Sequence, residues 1–420
     1  MLPRLTNALR GNSAIVIILV SIAIAHIGQG VISPVIPLFA DEFGIGPTLV
    51  GMVVASFGLG RLLLNLPSGM AVGRVGRKPL MVFGLLSSGL FMGLTGVSHS
   101  IGELMIWRFL AGAGTAIFNI GAITYIIDSS TQANRGKLLG LQQGALLVGT
   151  DIGPILGGVV ADLMGFRWAF YISAMVYAAG AYWVFQYLPG RATPATEEPG
   201  DASEKPSGKG RDSGFEFTVL SSVMKSPTFI LVSVFSMVVF FTRSGSRQTI
   251  LPLLGYEQIA ISATSLGLLF TVMTTINTLG ALPIGAFSDR FGRKALLVPG
   301  SFMTFLGLMI FVYADGLGMY YLGAVVMGIG AGIVGPTPNA YAGDLAPPGK
   351  IGVTMGIFRS FNDVGFILGP IVLGGIAQLS TLGTAMGFNA ALLLGLAVLL
   401  WVVGKETAGR GRGKVEETHG

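Results

Sequence analysis

The chain has 420 residues, of which 52% are hydrophobic and only 11% charged, and its mean hydropathy is +0.73. Soluble chains carry about 25% charged residues, and no soluble core could hide this much apolar surface, so most of the solvent around this chain is lipid. The net charge of +6 is too small for a nucleic-acid footprint, and the lack of cysteine excludes disulfides and thiolate chemistry.

A crossing and its turn take roughly 35 residues, so the length predicts about twelve crossings. Apolar runs fall near 13–37, 47–71, 79–98, 102–127, 138–161 and 167–188, then near 227–252, 262–286, 295–313, 317–341, 353–377 and 384–404. Each is long enough to span a bilayer of roughly 30 Å at about 1.5 Å per residue. The first run follows Arg4 and Arg10 and contains Ala23-Ile24-Ala25, as a signal peptide would. Its apolar stretch continues to Pro37, so it reads as an uncleaved span. Residues 190–214 are rich in Pro, Gly, Ser, Thr, Glu and Lys and predict a disordered linker. Residues 215–224 read either as a short helix on the membrane surface or as plain tether. The chain thus divides into a first bundle over 1–188, a linker over 189–226, a second bundle over 227–404 and a tail over 405–420.

Basic residues fall in alternate loops: Arg4 and Arg10; Arg74, Arg77 and Lys78; Arg135 and Lys137; Arg290, Arg293 and Lys294; and Lys405, Arg410, Arg412 and Lys414 in the tail. The loop at 38–47 carries Asp41 and Glu42 instead. This is the positive-inside pattern, with both termini in the cytoplasm. His26, His99 and His419 are too dispersed for a histidine-built metal centre.

The two halves repeat at one offset of 216 residues. Leu66-Pro67-x-Gly69 returns as Leu282-Pro283-x-Gly285, and Arg74, Gly76, Arg77 and Lys78 return as Arg290, Gly292, Arg293 and Lys294. Gly112 and Gly114 return as Gly328 and Gly330, and Asp128 as Asp344. Gly140, Gly149, Gly153 and Pro154 return as Gly356, Gly365, Gly369 and Pro370. One register held over about ninety residues implies an all-α integral membrane fold. Its twelve transmembrane helices form two pseudo-symmetric six-helix bundles, with a binding site expected between them near the bilayer midplane.

Gly69-x-x-x-Gly73-Arg74-x-Gly76-Arg77-Lys78 resembles the loop 2–3 signature of the major facilitator superfamily, and Gly285-x-x-x-Asp289-Arg290-x-Gly292-Arg293-Lys294 matches it more fully. The family has an acid where this chain has Gly73. That acid latches the bundles on the cytoplasmic side, so the resemblance implies a first-half latch that is weaker or that relies on glycine packing. Gly140, Gly149, Gly153, Pro154, Gly157 and Gly158 resemble the span-5 signature of the proton-coupled drug antiporters. Gly149, Gly153 and Gly157 lie four apart on one helix face, which permits close helix approach. Arg108-Phe-Leu-Ala-Gly112-Ala-Gly114 resembles a span-4 motif whose arginine sits near the coupling path. The resemblance also points to a bacterial inner (plasma) membrane.

Arg108, Gly112, Thr115 and Asn119 share one face and are expected to line a cavity, because an intramembrane arginine facing lipid costs roughly 2.5–3.5 kcal/mol. His26 reads either as a coupling group or as a hydrogen-bonded structural histidine. Asp151 lies about 200° around its helix from Gly149 and points away from the tight-packing face. Arg61 shares a face with Asn65 and Ser68 and is expected to pair inside its bundle. Arg243 and Arg247 lie four apart, as do Arg359 and Asp363. The two arginines call for either an anionic substrate group or partner acids such as Asp363. Asp128 and Asp344 read as caps or loop anchors. No phosphate-cradling loop or catalytic constellation is present.

The leading expectation is a non-enzymatic, proton-coupled efflux transporter of small organic molecules. It would work by alternating access, with a cavity lined by spans 1, 4, 7 and 10. Asp151, His26 and Asp363 are the proton-coupling candidates, and Arg108, Asn119, Arg243 and Arg247 the substrate candidates. The alternative is an uptake carrier for a small organic anion clamped by Arg108, Arg243 and Arg247. The expected partners are the lipid bilayer and a small-molecule substrate, with no nucleic acid and no cofactor beyond the coupling proton, and the working unit is expected to be a monomer.

Overall fold

The computed structural model describes residues 13–131, 134–190, 224–347, 351–404 and 406. Within the helices it leaves undescribed the side chains at 13, 135, 136, 281–283, 285, 286, 289–291 and 352. Among the described residues, twelve helices are long and apolar enough to cross a membrane. They are α1 (Ala14–Asp41), α2 (Pro47–Val75), α3 (Arg77–Gly96), α4 (Ile101–Asp128), α5 (Lys137–Met164), α6 (Phe166–Tyr187), α7 (Pro227–Ile259), α8 (Ala263–Gly280), α9 (Arg293–Val312), α10 (Leu317–Asp344), α11 (Val353–Leu379) and α12 (Leu382–Val403). Hydropathy places most of their ends within a few residues, but α7 runs well past the expected 252. The linker over 191–214, the tether over 215–223, Arg4, Arg10 and the tail basics lie outside the described residues.

Local chemistry sets the helix starts. Ser100 accepts from the Glu103 backbone N–H at 3.3 Å, and Glu103 Oε2 accepts from the His99 N–H at 2.9 Å, so α4 begins with a reciprocal cap. Ser226, Ser262 and Thr381 cap α7, α8 and α12 in the same single-sided way. Gly76 and Gly292 have φ of 90° and 102°, which only glycine adopts readily, and each breaks the helix just before an Arg-Lys pair.

The chain forms two units. One comprises Met1–Val35 and Ser56–Gly214, the other Ile36–Ala55 and Phe215–Gly420. In the first, α3 packs on α4 and α6, and α1 packs on α5 and α6. Ser173 donates to the Gly28 carbonyl at 2.6 Å, tying α6 to α1. The Arg167 guanidinium donates to the carbonyls of Gly96 and Ser98 at 2.7 and 3.2 Å, fixing the α3–α4 turn. In the second unit α9 packs on α10 and α12, and α7 on α11 and α12, around Phe229, Phe235, Tyr341, Phe358 and Leu400. Ile36–Ala55 belongs to this unit through small residues. A Cβ at Gly374 would lie 2.9 Å from the Pro47 carbonyl carbon, and one at Gly51 would lie 2.6 Å from that of Pro370.

Three crossings are irregular. α1 breaks at Ser33–Pro34 and α10 at Gly335–Pro336, each a proline or glycine–proline interruption. In α7, Thr242–Ile250 is a π-helix, not the α-helix that the four-residue spacing of Arg243 and Arg247 assumes. Interrupted helices at membrane depth are tolerated only where protein or a cavity satisfies the freed backbone.

Candidate functional site

The span-5 glycines form a seam against α1. A Cβ at Gly149 would lie 2.5 Å from the Ala23 carbonyl oxygen and 2.7 Å from His26 Cβ. At Gly153 it would lie 2.6 Å from Gly30 Cα, and at Gly157 2.9 Å from Val31 Cα. Backbone therefore meets backbone over two turns, an approach that any side chain would prevent. Gly140 opens the same signature but takes no part in the seam, since a Cβ there meets nothing within 4 Å. His26 is buried in this seam with Nδ1 2.8 Å from the Ile22 carbonyl oxygen, which favours the Nδ1–H tautomer. Asp151, half-buried, lies two residues along α5 from Gly149, with Oδ1 shielded from solvent.

Arg108 is 5% exposed, so it does not snorkel to the outer surface. Its guanidinium lies 4.7 Å from the centroid of the Phe57 ring, and Nη1 approaches Met92 Sδ at 3.8 Å. Nε is buried without an acceptor among the described residues, and Tyr177, whose hydroxyl lies beside Thr115, is close enough to Arg108 to interact electrostatically. Stacking on an aromatic face contributes about 2 kcal/mol when desolvated, comparable to the cost of placing the charge there. The face shared with Arg108 is packed rather than open. Gly112 admits the Phe57 backbone, and Thr115 hydrogen-bonds Ser88 at 3.2 Å. Asn119, one turn further, is half-buried.

The π-helix of α7 is held from α12. Asn389 Nδ2 donates to Ser246 Oγ at 2.8 Å and lies 3.1 Å from Thr242 Oγ1, all three residues being buried. Thr249 donates to the Ser244 carbonyl at 2.9 Å, satisfying an acceptor inside the widened turn. Gly245 and Gly369 allow α7 and α11 to touch there, with a Gly245 Cβ 2.7 Å from the Gly369 carbonyl. Arg247 lies 5.3 Å from the Phe270 ring centroid, while Arg243 is exposed. Asp363 is half-buried on α11.

The loop signatures carry paired charges. Arg77 Nε and Asp128 Oδ2 are 2.7 Å apart, and Arg293 Nε and Asp344 Oδ2 3.0 Å apart, so one pair repeats at the 216-residue offset. Asp128 and Asp344 are thus ion-pair partners at the ends of α4 and α10 rather than simple caps. The second copy has an additional anchor. Glu406 accepts from the backbone N–H groups of Arg293 and Lys294 at 2.9 and 3.1 Å. Among the described residues, a Cβ at Gly69 or Gly73 meets nothing within 4 Å, so neither glycine is packed within its own bundle. The side chains of Gly285, Asp289 and Arg290 lie outside the described residues, and so does that of Arg135.

The Major Facilitator Superfamily family model matches residues 18–244 and 237–419, nearly the whole chain. The chain belongs to the Major Facilitator Superfamily. It is 25% identical over 397 residues to multidrug resistance protein 1 of Bacillus subtilis, covering 93% of this chain and 96% of that protein. It is 22% identical over 371 residues to the quinolone resistance protein NorA of Staphylococcus aureus, covering 87% and 90%. A bacterial homologue of the lysosomal transporter Spinster, solved inward-facing and unoccupied, superposes with a TM-score of 0.74 at 16% identity, covering 93% and 94%. The nucleoside transporter NupG superposes with a TM-score of 0.73 at 14% identity, covering 93% and 98%.

Within this Major Facilitator Superfamily transporter, one cluster of residues singled out from sequence lies on the α1–α5 contact. His26, Gly149, Gly153 and Gly157 meet in one seam with Pro154, whose Cδ would lie 3.1 Å from a Cβ at Gly30. Arg108 stands apart, against Phe57 and Met92. Phe57, Tyr177, Asn389 and Glu406 were not found from sequence. An apolar ring, a tyrosine in an apolar run, a lone asparagine and a tail glutamate carry no periodic signal. Asn389 had the most visible one, as the only side-chain amide in the otherwise apolar α12.

Proposed function

We propose that this multi-pass membrane protein is a proton-coupled efflux transporter of small organic molecules that works by alternating access. The observation that carries the reading is the α1–α5 seam, in which the span-5 glycines bring backbone against backbone and place buried His26 beside Gly149 on the helix that carries Asp151. A rigid seam with a titratable ring inside it, packed on a helix that carries a shielded carboxylate two residues along from Gly149, couples a proton to the position of two helices. The printed names of the Bacillus and Staphylococcus relatives, which concern multidrug and quinolone resistance, support the substrate class and direction. The coupling ion is the proton, the working unit a monomer, and the membrane the inner (plasma) membrane with both termini cytoplasmic. In everted vesicles, an imposed inside-acid gradient should drive accumulation of a fluorescent lipophilic cation, and a protonophore should abolish it.

One observation favours a second reading. Among the described residues, Arg108 meets an aromatic face and a thioether, and its Nε has no acceptor. An anionic substrate group would supply one. Uptake of a labelled organic carboxylate into right-side-out vesicles, lost in Arg108→Gln, would support the uptake carrier over efflux.

A further inference from the structure

Lys294 is the second residue of α9, at the end that the charge pattern assigns to the cytoplasmic membrane surface. Its Nζ donates to the Gly404 carbonyl at 2.6 Å and lies 5.6 Å from the centroid of the Trp401 ring. The first bundle has the same device, since Lys78 Nζ lies 5.6 Å from the Phe185 ring centroid. Both members of the pair repeat at the 216-residue offset. Phe185 is 63% and Trp401 50% exposed, so each ring faces out of its bundle, where an interfacial aromatic meets lipid.

The second copy differs in what lies beside the ring. Ala295, Val298, Pro299, Val398 and Trp401 line an apolar groove of about 270 Å³ between α9 and α12. Pro299 has no N–H, so the Ala295 carbonyl loses its helical donor at the groove's polar end. At the offset positions the first copy has Phe83 in place of Pro299 and Tyr182 in place of Val398, 61% and 64% exposed, two larger side chains where the second copy leaves space. The neighbouring charges are already engaged. Arg293 pairs with Asp344 and donates to Ser288, and the Glu406 carboxylate accepts from two backbone N–H groups. Among the described residues the Lys294 ammonium, which has three N–H donors, donates to the Gly404 carbonyl alone.

We propose that the α9–α12 groove is a binding site for one glycerophospholipid, with its phosphodiester at Lys294 and an acyl chain along Val298, Pro299 and Val398. The order of chemistry along the groove matches such a lipid: a cation at the membrane surface, an interfacial indole, then apolar walls. The Lys78–Phe185 copy keeps the cation and ring but not the space, so one site is expected per chain. The proposal requires only that the protein span a membrane and is independent of what it transports.

The test uses the full chain with Trp107, Trp168 and Trp183 replaced by Phe, leaving Trp401 as the only fluorophore, reconstituted in phosphatidylcholine nanodiscs. Brominated-chain phosphatidylglycerol is titrated against brominated-chain diacylglycerol, which lacks the phosphate, and quenching is read relative to each sample's unquenched intensity. Half-quenching is expected at a several-fold lower mole fraction of the phospholipid. Lys294→Ala should raise that mole fraction about fivefold, as losing one lysine at an anionic surface does, and Lys294→Arg should restore it. Pro299→Phe with Val398→Tyr, which copies the first bundle, should lower maximal quenching while leaving the melting temperature intact. Equal half-quenching by phospholipid and diacylglycerol, or no change in Lys294→Ala, would show ordinary annular contact and overturn the site.

Discussion

Gly153→Ala tests the seam on which the functional reading rests, and Gly140→Ala is its control within the same signature. A Cβ at position 153 would stand 2.6 Å from Gly30 Cα and 2.7 Å from the Ile27 carbonyl oxygen, both backbone atoms that no rotamer can move aside. Ordinary contact begins near 3.4 Å, so the α1–α5 axis must open by roughly 0.7 Å or one helix must slide. Overpacking of this kind costs about 1–3 kcal/mol. A Cβ at position 140 meets nothing within 4 Å. Both substitutions gain the same helix propensity, about 1 kcal/mol for alanine over glycine, so it cancels between them. The expected difference is therefore the packing cost alone. At about 2–4 °C per kcal/mol, Gly153→Ala should melt roughly 2–12 °C below Gly140→Ala, read by intrinsic tryptophan fluorescence in detergent. Substrate transport should fall in the first variant and hold in the second. Equal melting points would mean that α1 and α5 are not in backbone contact, and the seam argument would fail.

Asp151→Asn should abolish gradient-driven transport while keeping substrate binding, as read by fluorescence polarisation of a dye substrate, and His26→Ala should shift the pH dependence without removing transport. If Asp151→Asn keeps full proton-driven transport, coupling passes to Asp363. Asn389→Leu breaks both side-chain hydrogen bonds that hold the α7 π-helix and leaves Ser246 and Thr242 buried with lost bonds, so thermal unfolding should report a loss of about 1–3 kcal/mol. Because a side chain at position 73 has open space, Gly73→Asp should transport nearly as well as the parent and Asp289→Asn worse than either; equal loss from both would return steric need to Gly73. A cysteine at position 205, in a chain with none of its own, should be labelled only from the cytoplasmic side, and labelling from outside intact cells would reverse the topology.

Hydropathy shows twelve crossings because each helix must be apolar over nearly its whole length to meet lipid, and that signal is local. The duplicated halves are equally visible, since Arg77 with Asp128 and Arg293 with Asp344 form the same bond at one offset. The four-residue spacing of Gly149, Gly153 and Gly157 announces close approach, although not which helix approaches. What stays hidden depends on residues distant in sequence. The π-helix over Thr242–Ile250 is secured by Asn389, 147 residues after Thr242, so the sequence around Arg243 and Arg247 reads as ordinary α-helix. A glycine that packs and one that does not look identical in a motif: a Cβ at Gly153 would meet the Gly30 backbone, whereas among the described residues one at Gly73 or Gly140 meets nothing within 4 Å. Arg108 announces itself as a costly charge, but its partners are a phenylalanine and a methionine, residues indistinguishable from any other apolar lining.

In the proposed cycle, substrate movement is exchanged for protons through Asp151. Purified protein in proteoliposomes with an entrapped pH-sensitive dye, given an outward substrate gradient and no imposed pH gradient, tests it most directly. Inward proton movement should begin with substrate efflux, scale with it, and disappear in Asp151→Asn. Substrate efflux at an unchanged rate with no proton movement would contradict it.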